Sequence, residues 1–337
     1  MAITIACHTE NHISVEQYVD FIQSEVDLGD EASLVESAPM LLALANDRNL
    51  VTTLFNKNIE DYLSGERTTM YTPQSFIIAG RKGRHKNFYV RGNIWPVISS
   101  NVKLKALEER VFTYNIAHDH DFYFMTVGYW GPGYETHIYE YDSTNVLGFI
   151  GEYVPMQLLE KTKLPVGKVM LYRPWSDIHI QIPPSELSIS LNLMVQDEVP
   201  QYREQYFFDV NTQTIAGYPY ASTSFNRCSV IQLASYIANA RTVEMLFDIA
   251  KKDPLPRSRV VALEGLLRLD PSGVLPLLEG AMGDSSGLVS AFAKSALNMR
   301  EGQVTQFDHL RNQLGLGLRS EVSTLARKSM GESIQDA

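Results

Sequence analysis

The sequence predicts an α+β protein in which an antiparallel β-barrel lies between two helical segments. Three observations carry this. Residues 13–64 place apolar side chains at helical spacing, and from Tyr71 short runs of β-branched and aromatic residues alternate with turns. After about Ser224 helical spacing returns, and it repeats. A chain of 337 residues exceeds what one compact core usually holds. The expected division is a helical segment (1–70), a barrel (71–223) and a helical domain (224–337).

The first segment opens with apolar positions at Val15, Tyr18, Val19, Ile22 and Val26, which share one helix face. Glu31–Asn46 and Asn49–Tyr62 extend the pattern, with Asp47 and Asn49 as caps. Packing against the barrel is its expected role.

Gln74–Val97 holds two β-type runs around a basic, glycine-containing tip, Arg81–Lys86, which is a hairpin signal. Leu104–Arg110 is a short helical piece. Val111–Ala117, Asp121–Trp130 and Tyr134–Asp142 follow as strands, with Gly131–Gly133 as the turn between the last two. Further strands are expected at Gly167–Tyr172, Asp177–Ile182, Leu187–Val195 and Tyr206–Val210. Many short antiparallel strands with intervening turns read as a jelly-roll or small barrel.

In the helical domain Leu233, Leu263 and Ala293 lie 30 residues apart, as do Tyr236, Leu266 and Ala296, and Ile237, Leu267 and Leu297. Second helices are expected at Val243–Lys251 and Gly273–Gly280. Paired helices at a fixed period are the mark of an α-solenoid. The texture SRVVALEGLLRLDPSGVLPLLEGAMGD resembles HEAT-like repeats over roughly Cys228–Met299. That resemblance implies a module that docks a protein partner, covers the barrel mouth or mediates a homodimer. An ordinary helical bundle with a coincidental period is the plainer alternative.

Composition narrows the function. A net charge of −10 argues against nucleic acid or an anionic membrane as the main partner. Cys7 and Cys228 lie far apart, so neither a disulfide framework nor a CxxC metal site is expected, and a reducing cytoplasm is the natural setting. The N-terminus lacks the basic and apolar regions of a signal peptide, and no apolar stretch reaches the ~20 residues of a membrane helix. Dinucleotide, Walker, nucleophile-elbow and zinc-finger patterns are absent from the sequence.

The chemistry gathers at Tyr114–His120, YNIAHDH. On a strand, residues i and i+2 face one side, so His118 and His120 aim both imidazoles into one space while Asp119 points away. A second piece opens with Pro165-x-Gly167 and carries His179 on a later strand. With His118, His120, Pro165, Gly167 and His179 in this order, residues 74–210 resemble the cupin superfamily. The resemblance implies a double-stranded β-helix barrel with one metal ion, commonly Fe(II), held in its mouth by His118, His120 and His179. Cupins often add a glutamate about four residues after the second histidine; here that position is Phe124, which implies a three-histidine site.

The related 2-oxoglutarate-dependent iron oxygenases bind their co-substrate through R-x-S, and ELSISLN (Glu186–Asn192) resembles the end of that motif. Glu186 stands at the arginine position, and a carboxylate there repels 2-oxoglutarate. Arg173 is the alternative anchor for an acidic substrate, and Glu135 on the next strand is the carboxylate to test. Tyr114 and Phe124 are candidate substrate contacts among the aromatic residues, most of which core packing explains.

Imidazole also suits Zn, Cu and Ni, so three histidines alone leave the metal open. The leading expectation is a non-heme Fe(II) dioxygenase acting with dioxygen on a small organic or amino-acid-derived molecule. A non-catalytic cupin-fold binding or scaffold protein, working through its helical repeats, is the second reading. Non-oxidative metal chemistry is a third.

Overall fold

Ser14 starts the first helix. Its hydroxyl accepts the Gln17 N–H at 3.2 Å, and the Gln17 side chain accepts the Ser14 N–H at 2.9 Å. This reciprocal cap satisfies two otherwise orphaned donors. The computed structural model describes residues 3–66, 72–83, 86–196, 204–219 and 222–299. Helix α1 (Val15–Glu25) is followed by α2 (Glu31–Glu36), α3 (Ala38–Ala45) and α4 (Leu50–Leu63). The sequence suggests one helix over 31–46. The chain instead breaks at Ser37, because Pro39 has no N–H to continue the α2 ladder and suits a helix start.

The strands of the first part are β1 (Ile3–Ile5), β2 (Ser75–Lys82), β3 (Asn87–Trp95), β4 (Ala117–His118), β5 (Phe124–Trp130), β6 (Glu135–Tyr141), β7 (Met156–Lys163), β8 (Val169–Tyr172), β9 (Asp177–Ile182) and β10 (Ser188–Gln196). Helix α5 (Val102–Val111) lies between β3 and β4. One antiparallel sheet runs β1-β8-β5-β10-β3-β2, and a second contains β4-β9-β6-β7. Strand β7 escapes the sequence reading because MQLLEKTK has no alternation; it is an edge strand and largely exposed.

The chain divides into two compact units. Among the described residues the first holds 3–144 and 155–196, and the second 145–154 and 204–299. In the first unit the N-terminal helices and the larger sheet share one core. Tyr18, Ile22, Leu34, Leu41 and Leu44 pack with Phe88, Val90, Met125, Val127, Leu171, Leu191 and Leu193. Strand side chains alternate between faces, so the partners of these residues point the other way. That opposite face carries Arg91, Asn93 and Trp95 on β3, Phe124 and Thr126 on β5, Met170 and Tyr172 on β8, and Ser190 and Asn192 on β10. Its apolar members join Tyr114, Tyr134 and Ile138 in a second cluster between the two sheets.

The second unit contains the hairpin β11 (Phe207–Asp209) and β12 (Thr214–Gly217), then helices α6 (Thr223–Tyr236), α7 (Ala240–Lys252), α8 (Pro256–Leu269), α9 (Leu275–Ala281) and α10 (Gly287–Met299). The 30-residue period falls on α6, α8 and α10, but in unequal environments. Leu263 and Ala293 are fully buried while Leu233 is half exposed, and Ile237 is 85% exposed. The tip Arg81–Lys86 lies partly, and 300–337 wholly, outside the described residues.

Candidate metal centre

The two strands that carry the histidines are tied to each other. His118 of β4 lies directly opposite His179 of β9 in an antiparallel pair, and Ile138 of β6 flanks His179 on its other side. Directly paired residues project to the same face, so both imidazoles enter one space. Strand β4 ends at His118, and His120 follows in the turn beyond. Its position comes from elsewhere: the Trp175 N–H donates to the His120 carbonyl at 2.9 Å. Trp175 sits at φ +51° in the turn between β8 and β9, a conformation non-glycine residues rarely adopt. Asp119 points away, as the alternation predicts, and is fully buried where the Tyr141 hydroxyl donates to it at 2.6 Å.

The three rings converge. Centroids of His118 and His179 are 4.3 Å apart, those of His120 and His179 4.9 Å, and those of His118 and His120 5.2 Å. One nitrogen from each lies within 4.8 Å of the others. Phe122 stacks on His120 at 4.7 Å, Phe124 meets it edge-on at 5.5 Å, and Tyr172 lies 4.5 Å from His179. These aromatic rings border the imidazoles.

The hydrogen bonding suits a cation. His118 Nδ1 lies 2.9 Å from the Ile116 carbonyl, an acceptor, so this nitrogen carries the proton and the lone pair falls on Nε2. Metal-binding histidines are commonly oriented in this way. Both His179 nitrogens and His120 Nδ1 are buried without a hydrogen-bond partner. Buried polar atoms are rarely left so, because each costs about 1–3 kcal/mol.

Burial is also the leading cause that lowers the pKa of all three. His179 is pushed well below the ordinary range, with further push from His118 and His120. His120 is likewise pushed well below it, by burial, then by His118 and Arg91. For His118 the Ile116 hydrogen bond opposes the shift. Neutral imidazoles with available lone pairs are what a divalent metal requires. The donor set therefore fits a divalent metal ion.

The other predicted site residues fall in different places. Phe124 borders His120. Tyr114 is buried in the same aromatic cluster, but its hydroxyl donates to the Pro96 carbonyl at 2.9 Å. Glu135 lies 2.9 Å from His137 Nε2. It stands three residues before Ile138, the residue beside His179, and so on the opposite face of β6. The Arg173 guanidinium is held by Asp177 and Glu140, each at 2.7 Å, and these contacts raise its pKa, with the Asp177 bond the largest cause.

The structure also brings in residues that sequence reasoning passed over. Arg91, Asn93, Thr126, Ser190 and Asn192 all lie on the inner face of the larger sheet. Their signal is the alternation SISLNL at 188–193, where every second residue is polar.

No family model matches the chain, and no curated protein matches it. Solved structures similar to it include DMSP lyases, a prolyl-4-hydroxylase and a cupin domain. A DMSP lyase from Ruegeria pomeroyi is 10% identical, with 38% of this chain and 48% of that chain covered and a TM-score of 0.20. A prolyl-4-hydroxylase from Pseudomonas putida is 11% identical, with 48% and 100% covered and a TM-score of 0.23. A cupin domain from Bordetella pertussis is 10% identical, with 38% and 98% covered and a TM-score of 0.18. The chain spans about half the length of the first two DMSP lyase structures it matches, 52% and 48%. Among the described residues no helix is long and apolar enough to cross a membrane.

Proposed function

We propose that the first unit is a double-stranded β-helix barrel holding a mononuclear metal centre, and that the protein is a non-heme oxygenase for a small organic or amino-acid-derived molecule. The observation that carries the reading is the set of buried imidazole nitrogens of His120 and His179 without partners, beside a His118 oriented by the Ile116 carbonyl. His118, His120 and His179 would hold the ion. A bound ferrous ion would supply the site at which substrate and dioxygen meet, since three protein ligands leave coordination positions for both. The protein's own part is to orient the imidazoles. The Ile116 carbonyl fixes the His118 ring, the Trp175 N–H fixes the His120 backbone, and Phe122, Phe124 and Tyr172 pack against the imidazoles. The C-terminal helices complete this reading as a HEAT-like surface for a protein partner.

Metal content and oxygen uptake test it together. Wild-type protein is expected to retain one ferrous ion per chain and to consume dioxygen with a substrate, and His118→Ala to lose the ion. Unchanged metal content in His118→Ala would sink the site assignment. Stoichiometric zinc without oxygen consumption would replace oxidation by metal-assisted hydrolysis or isomerisation.

A further inference from the structure

Arg91 is a mostly buried cation. Among the described residues no carboxylate pairs with it, and its Nε is buried without a hydrogen-bond acceptor. Burial pulls its pKa down to about 10. The Phe124 ring lies near it, with Cζ 5.9 Å from the centroid. The same ring lies 5.5 Å from that of His120, so Arg91 and the histidine cluster sit against one side chain. An arginine left this way costs free energy in the folded protein, and buried charges are normally paired.

Beside it stands a second donor. Asn192 of β10 is the direct cross-strand partner of Arg91 on β3. Such partners hold their Cβ atoms about 4.5–5.5 Å apart on one face. The orientation of the Asn192 amide follows from its neighbours. Thr126 Oγ1 donates to Asn192 Oδ1 at 2.6 Å, and Ser190 Oγ donates to the same oxygen at 3.2 Å. Ser190 in turn accepts the Trp95 indole N–H at 3.0 Å, which leaves its own proton for Asn192. This chain of bonds saturates the amide oxygen and directs Nδ2 the other way, where it is buried without an acceptor.

We propose that Arg91 and Asn192 together form the receptor for a carboxylate group, on a small organic acid whose other end reaches the metal held by His118, His120 and His179. A carboxylate accepts several hydrogen bonds, and a guanidinium beside an amide N–H supplies them as charge-assisted bonds. The metal end rests on the reading given above; the carboxylate end stands without it.

Binding to cobalt-loaded and to metal-free protein tests the two ends separately. Acetate, glycolate, pyruvate and 2-oxoglutarate, each beside its uncharged amide, are titrated by calorimetry and, in the cobalt form, by the visible spectrum. Carboxylates are expected to bind both forms and amides neither. Arg91→Met and Asn192→Leu are each expected to weaken binding roughly tenfold to a hundredfold. Arg173→Gln, whose guanidinium is held elsewhere, is expected to leave binding unchanged. Preference for pyruvate over 2-oxoglutarate makes the acid a substrate, and the reverse makes it a co-substrate; either supports the receptor. The ligand-free melting temperature gives a further readout. Arg91→Met is expected to raise it, because the variant removes an unpaired buried charge. A lowered melting temperature with carboxylate affinity intact makes Arg91 structural and overturns the proposal. So does binding lost in Arg173→Gln but not in Arg91→Met, or no carboxylate binding to either form. Failure to take up cobalt, with carboxylate binding retained, counts against the metal centre alone.

Discussion

Two largely buried arginines, Arg257 in the second unit and Arg91 in the first, are placed in opposite ways. In the second unit each arginine near the core meets an acid. Arg257 and Glu204, both almost fully buried, lie 2.6 Å apart, and the Tyr218 ring covers the Arg257 guanidinium at 4.0 Å. Arg259 meets Asp284 at 2.7 Å, and Arg268 meets Glu264 at 3.2 Å. In the first unit, among the described residues, Arg91 meets no acid, the His179 nitrogens have no hydrogen-bond partner, and Asn192 Nδ2 has no acceptor. Charge compensated within the fold serves stability and order. Buried polar groups without partners call for an explanation, and for Arg91 and the histidines a bound ligand is the one proposed.

That contrast can be broken by mutation, and the largest effect is expected in the second unit. Arg257→Ala leaves Glu204 buried and unpaired, at a cost of about 3–5 kcal/mol in urea-induced unfolding. The paired change Arg257→Met with Glu204→Leu is expected to recover most of that loss, as paired charges often yield to apolar residues of similar volume. If the single and double variants unfold alike, the ion pair is not what holds this region.

The next effect belongs to the first unit and needs metal. An ion present at about a hundred times its dissociation constant should stabilise the fold by about 2.7 kcal/mol. Thermal melts with and without chelator should show that difference in wild type and lose it in His179→Ala. Without metal the sign with pH follows from the histidines. Their pKa values are lowered in the fold, so below the unfolded value of about 6.5 the unfolded chain binds more protons. The stability they contribute is present above that pH and falls as pH drops through their folded values. A metal-free protein equally stable at pH 5 and pH 7.5 would contradict the buried, neutral imidazoles.

The smallest effect separates scaffold from site. Ser14→Ala removes the cap of α1 and should cost about 1 kcal/mol, while metal content stays at the wild-type level. A loss of metal in this variant would mean that helix docking also shapes the histidine cluster.

The sequence exposed the histidines because their signal is local. His118 and His120 are two residues apart, and the Pro165-x-Gly167 turn marks where the second piece begins. Gly167 takes φ +84°, and the turn crosses Gly128 so closely that a Cβ there would stand 2.1 Å from the Pro165 carbonyl oxygen. Arg91 and Asn192 were not legible for a physical reason. In an antiparallel strand that alternates apolar and polar, the polar face is ordinarily the solvent face. Here the N-terminal helices cover the apolar face, so Ser190 and Asn192 line the interior instead. Only the packing of residues 15–45 onto the sheet reveals that inversion. In the second unit the helical period was legible, but the half-exposed Leu233 shows that equal spacing did not bring equal burial.

The Trp175 N–H that holds the His120 carbonyl has a consequence for how the molecule is made. His118 is referenced to β9 through His179, and His120 to the turn just before β9. All three ligands thus share one frame, β9 and the turn that leads into it, which leaves the ribosome well after the H-x-H segment. A nascent chain ending before Asp177 has two of the histidines but no cradle for them. Metal capture therefore comes late in folding, after a distant pairing has closed, and the rate at which refolding protein takes up its ion becomes a clock for that closure.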